Sequence, residues 1–164
     1  MTVVISSGHG KLIRGANGHI DEVDEARRVV ARLGKILGCR TFDDNTSKSQ
    51  GQNLDTIVAW HNKQSRTLDV SVHFNAFQPT DKPMGTEVCY KTQSSLAKTV
   101  SGAIAKAGGF IDRGAKKRDG LAFLSKTNRP AILLEICFVD SKADTTLYKL
   151  NFDKICNAIA EALQ

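Results

Sequence analysis

The sequence predicts an α/β fold in one domain, with a sheet covered by helices on both faces. Short β-branched runs alternate with amphipathic segments of ten or more residues, the pattern of strands joined by crossover helices. A length of 164 residues suits one domain with a sizeable core. A composition of 41% hydrophobic and 24% charged residues is ordinary for a globular chain. No repeat, low-complexity tract or clear linker interrupts the alternation.

Each element has its own signal. Thr2–Ser6 is a β-branched run and predicts a buried strand, followed by a Gly/Asn-rich loop from Gly8 to Gly18. Glu22–Leu37 has a helical period that puts Ala26, Val29, Val30, Leu33, Ile36 and Leu37 on one face, and Gly38 ends it. Cys39–Phe42 predicts a second short strand, and Asp43–Gly51 a polar loop. Gln52–Ser65 is helical, with Leu54, Ile57, Val58 and His61 on one side. Leu68–Phe74 predicts a third strand. Gly85–Tyr90 predicts a fourth, after a turn marked by Pro79 and Pro83. Gln93–Ala107 predicts a helix closed by Gly108-Gly109, and Leu121–Leu124 an edge strand. Ala131–Phe138 is the strongest strand, apolar on both faces except at Glu135. Asp140 is the expected N-cap of a closing helical pair that runs to Leu163.

Charge and cysteine usage narrow the function classes. Lysine and arginine outnumber aspartate and glutamate 23 to 17, a formal net charge of +6, which favours polyanionic surroundings. The basic residues are scattered, their densest cluster is Arg113–Arg118, and aromatics make up only 6%. The dense basic patch with interleaved aromatics of a nucleic-acid binder is therefore missing, and most of these side chains read as a solvated basic surface. Cysteines stand at 39, 89, 137 and 156 with no C-x-x-C pair, which argues against a disulfide framework and a cysteine-ligated zinc site. Cys89 and Cys137 lie in apolar runs and read as small core residues. No leader pattern is visible before the first strand. No apolar run approaches the ~20 residues of a membrane span, so no stable membrane association is expected.

The stretch Ser6-Ser7-Gly8-His9-Gly10-Lys11, at the end of the first strand, could cradle a phosphate or hold a metal. The phosphate patterns do not fit. Gly8-x-Gly10 is followed by Ile13 where a dinucleotide fingerprint needs its third glycine, and the helix starts about a dozen residues late. Gly10-Lys11 is followed by Leu12, not Ser or Thr.

A metal reading gathers support elsewhere. His73 ends the third strand, Glu22 opens the first helix, and Glu135 sits inside the most apolar strand, where a bare carboxylate is costly unless paired or placed near a cation. His9, His73 and Glu135 fall at or near the carboxyl ends of strands, where α/β sheets form their sites. Two histidines and a carboxylate with an open fourth position make the ligand count of a hydrolytic zinc site, and a further carboxylate is then available as general base. Each residue also has a plain structural reading: a hydrogen-bonded strand-end histidine, a first-turn acid on the helix dipole for Glu22, half of a buried ion pair for Glu135. His61 reads as structural, and His19, in the loop, is the only competitor to His9.

The segments VVISSGHG, DEVDEARRVVARLGKIL, DVSVHFNA, GTEVCY and RPAILLEICFVDSKAD, spread from Val3 to Asp144, resemble in order the blocks of the zinc-dependent N-acetylmuramoyl-L-alanine amidases of the amidase-3 type. The resemblance implies a mixed, mainly parallel twisted sheet flanked by helices, with residues 1–164 forming the catalytic domain. It implies that His9, Glu22 and His73 bind zinc, that Glu135 is the catalytic glutamate, and that Asn75 supports the site or touches substrate. One departure is visible: the family's first block usually reads Asp-Pro-Gly-His-Gly-Gly, and this chain has Ser6-Ser7-Gly8-His9-Gly10-Lys11.

The implied substrate is peptidoglycan, cut between the lactyl group of N-acetylmuramic acid and L-alanine. A monomer without a nucleic-acid partner is expected. With Met1 directly before the first strand, the chain looks like a phage or prophage endolysin, made in the host cytoplasm and acting on the wall after release. A secreted enzyme's catalytic domain, or a wall-binding module beyond Gln164, is the competing organisation. A zinc peptidase cutting another amide of the wall, or a non-enzymatic wall-binding module, is the competing function.

Overall fold

A computed structural model describes all of residues 1–164. The strands are β1 (Val3–Gly10), β2 (Arg40–Asp44), β3 (Leu68–Asn75), β4 (Thr86–Tyr90), β5 (Asp112–Lys117) and β6 (Ala131–Phe138). The helices are α1 (Glu22–Leu37), α2 (Gln50–Asn62), α3 (Ser94–Gly108), α4 (Ala122–Lys126), α5 (Lys142–Leu150) and α6 (Phe152–Ala162). The six strands form one sheet in the order β2-β1-β3-β6-β4-β5. Four of the five pairings are parallel, and β4 runs antiparallel to β6. The mixed, mainly parallel α/β sheet expected from the sequence is the sheet observed.

The helices divide by face. The apolar stripe of α1 (Ala26, Val29, Val30, Leu33) packs with α3 and α6 on the side of Ile5, Val70, Val72, Ile132 and Leu134, forming the main core. Helix α1 is bounded by local chemistry: Asp21 accepts from the Asp24 N–H as N-cap, and Gly38 closes the helix at φ 62°. The opposite face carries only α2 and α4 over a small cluster that includes Ile57, Phe123, Leu124 and Leu133. That thin cover leaves the carboxyl ends of β1, β3 and β6 open on this side.

Three expectations are corrected. Leu121–Leu124 is not an edge strand: the run turns into α4, which points Phe123 and Leu124 into the small cluster. The edge strand beside β4 is β5, whose polar sequence DRGAKK carries no apolar alternation. Asp140 is not the helix cap: Ser141 accepts from the Asp144 N–H, while Asp140 Oδ2 accepts from the Phe77 N–H at 2.9 Å. The α2 expectation was two residues late, because Ser49 caps the helix by accepting from the Gln52 N–H.

His61 is structural, as read. It is fully buried on α2, with Nδ1 2.7 Å from Asp69 Oδ1 and Nε2 2.8 Å from Ser6 Oγ. Arg66 holds both oxygens of the same carboxylate. This Ser–His–Asp line ties α2 to β1 and β3, and no solvent reaches it.

Candidate metal centre

The site grows from the carboxyl ends of β1 and β3 and the first turn of α1. Alternation along β3 sends Val70, Val72 and Phe74 into the main core and His73 to the open face. His9 follows Gly8 on β1 and is the single non-glycine residue with positive φ, 60°. That left-handed backbone is costly for an L-residue and clusters at functional sites. Glu22 is 3% exposed in the first turn of α1, where the helix dipole favours an anion.

These three side chains converge. Glu22 Oε1 lies 3.3 Å from His9 Nε2, and Oε2 lies 3.3 Å from His73 Nδ1. One donor atom from each residue lies within 4.8 Å of the others. The carboxylate is aimed by two backbone amides, Ala16 N–H to Oε1 at 2.8 Å and Phe74 N–H to Oε2 at 2.9 Å. Glycines make the room: a Cβ on Gly8 would overlap the His73 ring, and one on Gly15 would overlap Glu22 and His9. Burial alone would raise the Glu22 carboxyl, but hydrogen bonds from His73 and His9 outweigh it and hold it well below the usual carboxylate range. The hydrogen bond to Glu22 in turn raises His9 against its own burial. Two imidazoles and an anionic carboxylate converging in this way fit a divalent cation of the zinc type. His19 stays outside this group, exposed, with its backbone N–H on the Val139 carbonyl.

Glu135 stands beside the group. It is in register with His73 across β3 and β6, and with Glu87 across β6 and β4, so one row carries His73, Glu135 and Glu87. Its Oε2 is buried without any hydrogen-bond partner. The arginine partner that a plain structural reading would require is not there. Burial first, then the negative charges of Glu22 and Glu87, push its carboxyl up to about 8. A buried carboxyl oxygen with no protein partner, in register with one of three convergent donors, fits a site in which a cation and a water would offset its burial.

Asn75 makes no hydrogen bond to either histidine. Its Nδ2 donates to Glu87 Oε1 at 2.9 Å and its Oδ1 accepts from the Ala76 N–H. Glu87, 5% exposed, also accepts from Arg113 Nε at 3.3 Å. Neither Glu87 nor Arg113 was singled out in the sequence. A signal for Glu87 existed: GTEVCY, like AILLEICFV, places one carboxylate inside an apolar strand. Arg113 had none, since its place in a basic cluster suggested solvation.

The model of the N-acetylmuramoyl-L-alanine amidase family, amidase-3 type, matches residues 3–164. An uncharacterised 38.4 kDa protein of Clostridium perfringens is 32% identical over 158 residues, covering 91% of this chain and 46% of its own length. The probable cell wall amidase LytH of Staphylococcus saprophyticus is 24% identical over 167 residues, covering 99% of this chain and 57% of its own. The chain thus spans about half the length of these curated relatives. Among solved structures, the catalytic domain of the CD27L endolysin targeting Clostridia difficile has a TM-score of 0.87 at 23% identity, covering 99% of this chain and 96% of that one. The CwlD amidase of Clostridioides difficile, solved in complex with the GerS lipoprotein, has a TM-score of 0.85 at 21% identity, with coverage of 100% and 97%. The latter two are likenesses of fold. With the family model spanning nearly every residue, the chain belongs to the amidase-3 family of N-acetylmuramoyl-L-alanine amidases.

Proposed function

We propose that the protein is a zinc-dependent N-acetylmuramoyl-L-alanine amidase that cuts peptidoglycan between the lactyl carbonyl of N-acetylmuramic acid and the amine of L-alanine. The observation that carries the reading is the orphaned Glu135 Oε2, in register with His73 and beside the His9–Glu22–His73 group. His9 Nε2, one oxygen of Glu22 and His73 Nδ1 would hold the metal. Bound zinc supplies a Lewis acid for the amide carbonyl and lowers the pKa of water.

The chain's own residues do the rest. The Ala16 and Phe74 amides keep the Glu22 carboxylate from turning away from the two imidazoles. Glu135 takes the proton of the attacking water on Oε2 and passes it to the leaving L-alanine nitrogen. A carboxyl raised toward neutral pH is suited to both transfers. A cation among the three donors would draw it down from about 8 and leave it ionised for the first of them. Asn75 acts in this reading by fixing Glu87, the carboxylate paired with Glu135 across β4 and β6. The net charge of +6 suits an anionic wall.

An endolysin role, with the protein made in a host cytoplasm and reaching the wall through a membrane lesion, is part of the same proposal. The likeness to the CD27L catalytic domain motivates it. No helix is long and apolar enough to cross a membrane.

The test is incubation of purified peptidoglycan with the protein, with chelator and after zinc is returned, followed by mass analysis. An amidase releases stem peptides beginning with a free L-alanine amine and leaves muramic lactyl carboxylates. A peptidase leaves that bond intact, and a binding module releases nothing.

A further inference from the structure

We propose that Arg113 is a carboxylate-binding residue of this site, taking a free carboxylate of the peptide on the amine side of the scissile bond. The assignment rests on the amidase reading above. Three features of the chain place and prepare this guanidinium.

The first is a bulge. Across β4 and β5, Thr86 pairs with Asp112 and Glu87 pairs with Gly114, so Arg113 is the extra residue. Gly114 has φ 82°, and its N–H is held by Asp112 Oδ1 at 2.9 Å. Bulges are uncommon in parallel pairs; near active sites they re-aim a side chain. Here the bulge brings Arg113 onto Glu87, in the row that carries Glu135.

The second is how the guanidinium is held. Only Nε is engaged, on Glu87 Oε1, and the plane lies over the Phe138 ring with Cζ 5.1 Å from its centre. Glu87 is fixed in turn by Asn75. Both Nη groups have no partner within the protein. An arginine aligned through Nε with two free Nη groups is prepared for planar, two-pronged recognition of a carboxylate.

The third is the cleft. Arg113 lines a depression of about 320 Å³ with Asn75, Phe77, Met84 and Phe138. Phe77 is 73% exposed, and Asp140 anchors its backbone N–H. A positive fork flanked by apolar side chains fits a chain that is aliphatic and carries one carboxylate.

Geometry gives the position along the substrate. Glu87 is one strand from Glu135, and strands lie about 4.8 Å apart. The fork is thus roughly 5–10 Å from the Glu135 side chain, about two to three residues of extended chain. On the sugar side the lactyl carboxyl is consumed in the amide, so the free carboxylate belongs to the stem peptide. With L-alanine first, the group is the α-carboxylate of a γ-linked glutamate in second place, or a carboxylate on the residue after it.

The experiment compares L-alanyl-γ-D-glutamate with its α-amide, as free dipeptides and as N-acetylmuramoyl conjugates. Dipeptide binding to zinc-loaded protein is followed by NMR titration, and hydrolysis of the conjugates by kcat/KM. The acid should bind and react at least about tenfold better than the amide, the size of a charge-assisted pair. Arg113→Gln should reduce that ratio to near one, with Arg113→Lys in between. If Arg113→Gln does not fold because Glu87 is left unpaired, Glu87→Gln/Arg113→Gln replaces it. Equal treatment of acid and amide by the parent protein would overturn the proposal, as would a ratio that survives loss of Arg113. Discrimination in binding without cleavage of either conjugate would instead overturn the amidase reading and leave the carboxylate site standing.

Discussion

Replacing Glu135 by glutamine keeps the shape of the side chain and removes its charge and its proton chemistry. In metal-free protein the carboxyl is raised from its ordinary 4.5 to about 8. The folded state therefore binds more protons than the unfolded state between those values. Stability conferred by the protonated form is full below pH 4.5 and is lost as pH rises through 8. At about 1.4 kcal/mol for each pH unit the loss is at most roughly 5 kcal/mol. Glutamine does not titrate, so the melting temperature of Glu135→Gln should pull ahead of the parent as pH goes from 5 to 8. For a chain of this size about 1 kcal/mol corresponds to ~2–4 °C, so a gain of several degrees at pH 8 is expected. Zinc should narrow the gap by giving the carboxylate a neighbouring cation. Turnover should move the opposite way, falling by at least ~10²–10⁴, the contribution of a positioned acid–base group. The assay is thermal melting of both proteins across this pH range, with and without one equivalent of zinc, beside turnover and metal content. A variant that loses its zinc would make Glu135 a ligand. A variant that stays active, or melts in parallel with the parent at every pH, would refute the burial and the role assigned to this carboxyl.

Other perturbations follow from the same geometry. Glu22→Gln should lower zinc affinity and lose activity partly through empty sites, read by elemental analysis beside turnover. Gly8→Ala places a methyl in the His73 ring and should weaken zinc binding by roughly 10–100-fold, the usual cost of disturbing what orients a ligand; competition with a chromophoric chelator measures it. Asp69→Asn leaves Arg66 and His61 without their buried anion and should cost about 3–5 kcal/mol in denaturant unfolding at pH 7. Added salt should weaken pull-down onto walls bearing anionic polymer, since exposed charge is screened over ~10 Å at 0.1 M.

The fold was legible because its signals are local. The apolar stripe of α1 and the β-branched runs of β1, β3 and β6 each state their own element. What failed was decided by partners distant in sequence. β5 is a strand because β4 offers it an edge, and Leu121–Leu124 curls into α4 because Phe123 and Leu124 have a cluster to fill. Within the site, His9, His73 and Glu135 were legible as polar residues where apolar runs end or should continue. Glu22 by itself reads as a first-turn acid, and only the family resemblance names it as a ligand; the fold sets it between two imidazoles. Arg113 was hidden by its basic neighbours, because its exposure depends on a register shift that no spacing along the chain reveals.

The central claim is tested most directly by titrating metal-free protein with zinc while following release of the L-alanine amine from an N-acetylmuramoyl-L-alanyl peptide. Rates should rise from near zero and break at one zinc per chain, and His9→Ala and His73→Ala should abolish the break. Full activity in metal-free protein, or saturation with zinc without cleavage of this amide, would contradict the account.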